Sequence, residues 1–143
     1  MMLDRAGIEK LVPHTGTMCL LDEVEDFDAV RIVCTSMRHG FPDNPLRLDG
    51  RLSAVHAIEF AGQAAAVHGA LAAPSLSGSR RGLLVSVRSC RLYVKALDAA
   101  RDPLRIEARL IATAQSLTSY EFAVSSASVR LADGRLGVFM ETA

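Results

Sequence analysis

The sequence predicts an α+β fold in which an antiparallel sheet wraps one long helix. Two observations carry this. The segment from Ala54 to Ala73 is apolar except for His56, Glu59, Gln63 and His68. The chain after residue 82 is almost continuously strand-like, with connections short enough for hairpins. Hairpin-connected strands build an antiparallel sheet, and one helix set among them gives the α+β class. A length of 143 residues, half of them hydrophobic, suits a single domain over 1–143 with a sizeable core.

The elements follow in order. "LDRAGIEKLV" reads as a short helix that stops before Pro13. "MCLLDEVEDFD" and "AVRIVCTSM" read as two strands, the second alternating Val30, Ile32 and Cys34 with Arg31, Val33 and Thr35. They pair as a hairpin around Asp26 to Asp28. A loop from Arg38 to Leu52 leads to Ser53, an N-cap for a helix running to about Ala73. Pro74 to Gly82, "PSLSGSRRG", is a loop. "LLVSVRSCRLYVKAL" is a long strand, and Pro103 opens "LRIEARLIATA", where Leu104, Ile106, Ala108 and Leu110 alternate with Arg105, Glu107 and Arg109. In "LTSYEFAVSSASVRLADGRLGVFME" the strongest turn signal is Asp133-Gly134, which places the last hairpin there.

The helix is apolar nearly all round, so it is expected to be buried nearly all round. Its small residues, Ala57, Ala61, Gly62, Ala64, Ala65, Ala66, Gly69 and Ala70, let a curved sheet approach closely. At about 100° per residue, Glu59 and Gln63 lie roughly 60° and 20° from His56, so the three share a stripe, and His68 falls off it. The stripe is either catalytic or a polar seam toward a subunit interface or solvent, with Gln63 bonding backbone. A carboxyl in apolar surroundings has a raised pKa, which suits a general acid.

Net charge is zero, which argues against general nucleic-acid binding. The charge is nonetheless segregated. Residues 1–28 carry seven acids against Arg5 and Lys10, and residues 80–109 carry eight bases against Asp98, Asp102 and Glu107. The basic region is a solvated face or a docking patch for an acidic partner. Cys19, Cys34 and Cys90 are odd in number and widely spaced, so neither a disulfide framework nor a zinc site is suggested. The first residues are acidic and lack the apolar core of a signal peptide, and the polar groups of the central helix do not suit a lipid span. A cytoplasmic protein without a membrane segment is the expectation. No Ser-His-Asp order, glycine-rich phosphate loop or metal cluster emerges, and no cofactor is expected.

Three stretches, "LVPHTGTMCLLDEV", "HGFPDNP" and "IEFAGQAA", together resemble hotdog-fold 3-hydroxyacyl-[acyl-carrier-protein] dehydratases. The resemblance is greatest to the dehydratase-like proteins of aryl-polyene-type biosynthetic clusters, which share the Asn44-Pro45-Leu46-Arg47 stretch and the Gly50-Arg51-Leu52 before the helix. It implies a hotdog fold, dehydration of acyl thioesters held on an acyl carrier protein, and a homodimer or higher oligomer, or a heteromer with a paralogue. It also implies Glu59 as the acid, with its spacing to Gln63 kept. The family's basic histidine stands directly before Phe-Pro; here Gly40 does, and His39 comes one residue earlier. His39 and His56 are therefore both candidate bases. Phe41, Pro42, Gly50 and Gln63 are the candidate substrate contacts, with Gly50 N–H, or the N–H groups around Ser53 to Val55, facing the thioester oxygen. His14 either orders the N-terminal turn or acts in catalysis. Two alternatives stay beside dehydration: thioester hydrolysis with Glu59 activating water, and a non-catalytic subunit supporting an active paralogue.

Overall fold

The computed structural model describes residues 2–12, 16–72, 80–115 and 117–142. A short helix α1 (Arg5–Leu11) is capped by Asp4, whose carboxylate accepts from Gly7 N–H. Strands β1 (Glu23–Phe27) and β2 (Arg31–Ser36) form the expected hairpin, closed by Asp28 N–H donating to the Arg31 carbonyl. The central helix α2 (Ala57–Ala72) enters through a 3-10 turn at Ala54–His56, with Ser53 as N-cap. Strands β3 (Arg80–Leu92), β4 (Leu104–Ala114), β5 (Leu117–Ser126) and β6 (Val129–Thr142) complete one antiparallel sheet of order β1-β2-β4-β5-β6-β3. This is the hotdog arrangement.

The alternation in β4 decides how the sheet meets the helix. Leu104, Ile106 and Ala108 are fully buried, while Arg105 and Arg109 point to solvent. Tyr120, Phe122 and Val124 of β5 and Leu136 and Val138 of β6 join them against Phe60, Ala61, Ala64, Ala65 and Val67 of α2. Alanines at the contact keep the helix close to the strands, as the composition suggested. The helix is not buried all round, however: Val55 and Glu59 are exposed and Gly62 is half-buried. A sheet covers one side of a cylinder, and these residues occupy the side left open.

Two further expectations are corrected. The loop expected over Pro74 to Gly82 ends earlier, because Arg80, Arg81 and Gly82 already pair with Thr142, Glu141 and Met140; residues 73–79 lie outside the described residues. The last hairpin does not turn at Asp133-Gly134. It turns at Ala127 and Ser128, both in the left-handed region with φ of 49° and 67°, between paired Ser126 and Val129. Two consecutive positive φ values match the twist that a two-residue hairpin needs, whatever residues supply them. Asp133 and Gly134 instead sit inside β6, where Gly134 faces Phe122 of β5. A Cβ on Gly134 would lie 2.9 Å from the Cys90 Cα, so the glycine serves close strand approach.

His68 supplies one buried polar link between helix and sheet. It lies 2.7 Å from the Tyr120 hydroxyl through Nδ1 and 3.1 Å from the Asp28 carbonyl through Nε2. A carbonyl only accepts, so Nε2 carries the proton and Nδ1 accepts from Tyr120. These two bonds give His68 a structural role between helix and sheet.

The relocated turn gives a test. Replacing Ala127-Ser128 by Asn-Gly relieves two left-handed residues and should raise stability by about 1–2 kcal/mol. Gly134→Ala should lower it by about 1–3 kcal/mol through overpacking. Urea midpoints at constant slope report both. An unchanged or lower midpoint for the Asn-Gly variant would mean that the hairpin does not turn at 127–128.

Candidate active site

The segment from Met37 to Arg51 carries most of the candidate residues, and side chains knit it throughout. Asp22 accepts from Met37 N–H (2.8 Å) and from Arg38 Nε (2.9 Å). Ser36 Oγ donates to the Leu20 carbonyl at 2.6 Å and accepts from Arg38 N–H at 3.0 Å. Asn44 donates to the Arg38 carbonyl and accepts from Leu46 N–H, both at 2.9 Å, closing the turn around Pro45. Asp49 and Gly50, with φ of 51° and 73°, form a second two-residue turn between Leu48 and Arg51, which exchange backbone hydrogen bonds of 2.8 and 2.9 Å.

His39 is held inside this frame, only 1% exposed. Its Nε2 lies 2.9 Å from the Ala100 carbonyl and must therefore donate. The lone pair of the neutral ring then sits on Nδ1, which is buried without a hydrogen-bond partner. Burial pushes the imidazole pKa below its usual range; the Ala100 bond and Asp98 oppose this, and Arg47 adds to it. His39 is thus a neutral imidazole with a fixed tautomer and an unengaged basic nitrogen. It is not the solvated loop residue that its surroundings in sequence allow.

The helix stripe is brought together, but its members differ. His56 is half-buried and Glu59 is exposed on the open side of α2. Glu59 therefore lacks, within one chain, the burial expected of it, because the sheet lies on the other side of the helix. Gln63 is buried and bonded at both amide atoms: it accepts from Leu20 N–H and donates to the Met18 carbonyl, both at 2.8 Å. It anchors residues 18–20 to the helix, which fits the backbone-bonding alternative. Gly50 lies exposed at its turn, and Phe41 and Pro42 are exposed beside it, with the Arg38 guanidinium 4.9 Å from the Phe41 ring centroid. The N–H groups expected at the helix start are partly spent. Ala54 N–H donates to the Lys95 carbonyl and Val55 N–H to Ser53 Oγ, so these two face the protein's own oxygens. His14 lies outside the described residues.

Sequence reasoning missed Asp22, Asn44, Arg47 and Asp98. Asn44-Pro45 carried a turn signal, but nothing in the linear pattern tied Arg47 to His39. It also missed a two-dimensional feature. Strand register sets Arg31, Arg109, Glu121, Arg135 and Arg88 in one row across five strands. The next row holds Glu107, Ala123, Asp133 and Arg91, and a third Arg105, Ser125 and Arg130. Glu23 and Asp26 of β1 continue the third and second rows, so among the described residues these rows on the face turned away from α2 carry seven arginines against five acids. Four of the acids already have a partner: Asp26 and Glu107 with Arg31 (3.0 and 3.2 Å), Asp133 with Arg130 (2.8 Å) and Glu121 with Arg135 (4.0 Å). Arg91 and Arg109 line a groove of about 410 Å³ on this face. The linear window of 80–109 contained only part of the patch.

An antiparallel sheet around one helix, with a knitted loop before that helix, defines a hotdog protein. A family model described as "ApeP-like: ApeP dehydratase" matches residues 6–143, and the chain belongs to this ApeP-like dehydratase family. Among solved structures, it is similar to the dehydratase heterocomplex ApeI:P from Xenorhabdus doucetiae (TM-score 0.83, 24% identity, covering 94% of this chain and 91% of that chain). It is also similar to AziG from S. sahachiroi (TM-score 0.62, 16% identity, 85% and 91% covered). A third similar structure is a mutant of thioesterase PA1618 from Pseudomonas aeruginosa (TM-score 0.61, 14% identity, 85% and 81% covered). At these identities the structures establish the shared fold. No curated protein sequence matches the chain.

The buried histidines predict an acid sensitivity. His39 and His68 both have folded pKa values lowered by burial, against about 6.5 when unfolded. The unfolded chain then binds more protons between the folded value and 6.5, so stability falls as pH drops below about 6.5 and is flat above it. Urea midpoints from pH 8 to 5 should show this, and His39→Asn should flatten the slope. An unchanged slope would mean that His39 is not held neutral.

Proposed function

We propose that the chain acts in dehydrating 3-hydroxyacyl thioesters presented on an acyl carrier protein, giving trans-2-enoyl thioesters. Family membership supports the reaction class. The observation that carries the reading is His39, a neutral imidazole whose Nδ1 lone pair is spent on nothing else. Removing the weakly acidic C2 proton needs such a base, and the departing hydroxide needs a donor. Glu59 is the donor in this reading. The C2 proton passes to His39 as the C2=C3 bond forms, and the C3 oxygen leaves as water with the proton of Glu59. Phe41, Pro42 and Gly50 flank the acyl thioester.

In this reading the site is completed by a second chain covering the open side of α2. A carboxyl exposed in one chain becomes desolvated there, beside the substrate to which it donates. Strand β3 lies at the sheet edge, where an unpaired ladder favours pairing with another chain. That chain is a second copy or a paralogue; the similar ApeI:P structure is a heterocomplex. One observation favours a supporting role in such a heteromer. At Gly40, where the family places its histidine, a Cβ would meet nothing within 4 Å, whereas His39 points into its own chain.

The carrier's acidic surface suits the arginine rows on the outer sheet face. Reversing charge at Arg88, Arg109 and Arg135 should raise the KM for carrier-bound substrate, most strongly at low salt, and leave that for an N-acetylcysteamine thioester unchanged. Equal effects on both substrates, or none, would contradict docking there.

Activity itself is tested with 3-hydroxyacyl carrier thioester, for the chain alone and mixed with a dehydratase paralogue. The expected product is an enoyl chain still on its thiol. Glu59→Gln should cost about 10²–10⁴ in turnover. Full turnover in that variant would remove Glu59 from the site, and free acid plus thiol would favour hydrolysis. Turnover only in the mixture would establish the heteromeric reading.

A further inference from the structure

Among the described residues, Arg47 makes a set of contacts that no other side chain near the candidate site matches. Its Nη2 donates to the His39 carbonyl at 2.6 Å, its Nε to the Phe41 carbonyl at 3.3 Å and its Nη1 to the Gly50 carbonyl at 3.1 Å. Nη1 also lies 3.3 Å from Asp98 Oδ2, in the turn at Leu97–Ala99. That turn leads directly to Ala100, whose carbonyl receives His39 Nε2–H. One guanidinium therefore ties the loop holding His39, the turn holding Gly50 and the turn that fixes the imidazole. The side chain of Arg47 is only 14% exposed, so solvent does little to loosen these bonds.

We propose that Arg47 is the positioning residue for His39: its planar fork locks the His39–Phe41 backbone, the Asp49-Gly50 turn and Asp98 into one body, which sets where the imidazole and the Gly50 peptide stand relative to the substrate. This rests on the reading of His39 as the base. Geometry explains why arginine is needed. Three carbonyls and a carboxylate in different directions require several donors fixed in one plane, and an ammonium on a flexible stem cannot hold them together. The charges have separate consequences. Among the described residues the charged groups acting on His39 are Arg47 and Asp98, with opposite signs: Arg47 disfavours the imidazolium and Asp98 favours it.

Two variants and one control separate positioning from mere packing. Arg47→Lys keeps the charge and loses the fork. It should lower kcat by about 10–10²-fold through misplacement, with the acid limb of kcat/KM against pH unmoved. Arg47→Met loses both. It should lower kcat similarly and shift the acid limb to higher pH. Asp98→Asn should shift that limb to lower pH. The same shifts are read without turnover by nuclear magnetic resonance titration of the ¹⁵N-labelled His39 imidazole in the full chain. There Arg47→Met should raise the His39 pKa, Asp98→Asn should lower it, and Arg47→Lys should leave it in place. If Arg47→Lys restores full kcat, or if both charge-removing variants move His39 in the same direction or not at all, the proposal is overturned. An inactive parent protein would count against the dehydratase reading, and the imidazole titration would still decide the role of Arg47.

Discussion

A helix that is apolar on most of its circumference has to be covered, and one twisted sheet covers only one side of it. The arrangement of this protein follows from that constraint. Ala57, Ala61, Ala64 and Ala65 bring the strands close and let Phe60 and Val67 fill the space beneath Tyr120, Phe122 and Val124. The strand faces that do not meet the helix are free to carry charge, and the register gathers their arginines into rows. The helix side that the sheet does not reach carries Glu59. Glu59 is therefore on the open side of the helix, whereas Gln63 of the same stripe is buried in its own chain.

The loop before the helix obeys a different rule. It contains little regular structure, so its backbone groups are satisfied one by one by Asp22, Ser36, Asn44 and Arg47. Ordering so many residues costs conformational entropy, which these bonds and the burial of His39 offset. The outcome is a neutral imidazole with its tautomer set by a carbonyl and its other nitrogen free. That is the state a base requires before the substrate arrives.

Local signals carried much of the fold. The alternation of Leu104, Ile106 and Ala108, the caps Asp4 and Ser53 and the small-residue helix all act through neighbours near in sequence, so they could be read there. Three features could not. Asp133-Gly134 carries a turn signature, yet the glycine is required by Cys90 on another strand, while Ala127-Ser128 turns without any such signature. The burial assigned to Glu59 assumed complete coverage of the helix, and coverage is decided by which side the sheet takes. Arg47 and the arginine rows depend on contacts between distant segments, with Asp98 51 residues from Arg47. Helical periodicity located the stripe and turn-forming residues the loop, but neither points to the side chains that hold the loop in shape.

In the proposed reaction His39 is the base that removes the C2 proton. Solvent deuterium exchange at C2 of a saturated acyl carrier thioester tests this step apart from loss of the hydroxyl, since that substrate has none. The protein, paired with its paralogue if it needs one, should incorporate deuterium at C2. Glu59→Gln should retain the exchange and His39→Asn should abolish it. Exchange that survives His39→Asn but disappears in His56→Asn would contradict the account and move the base to the helix.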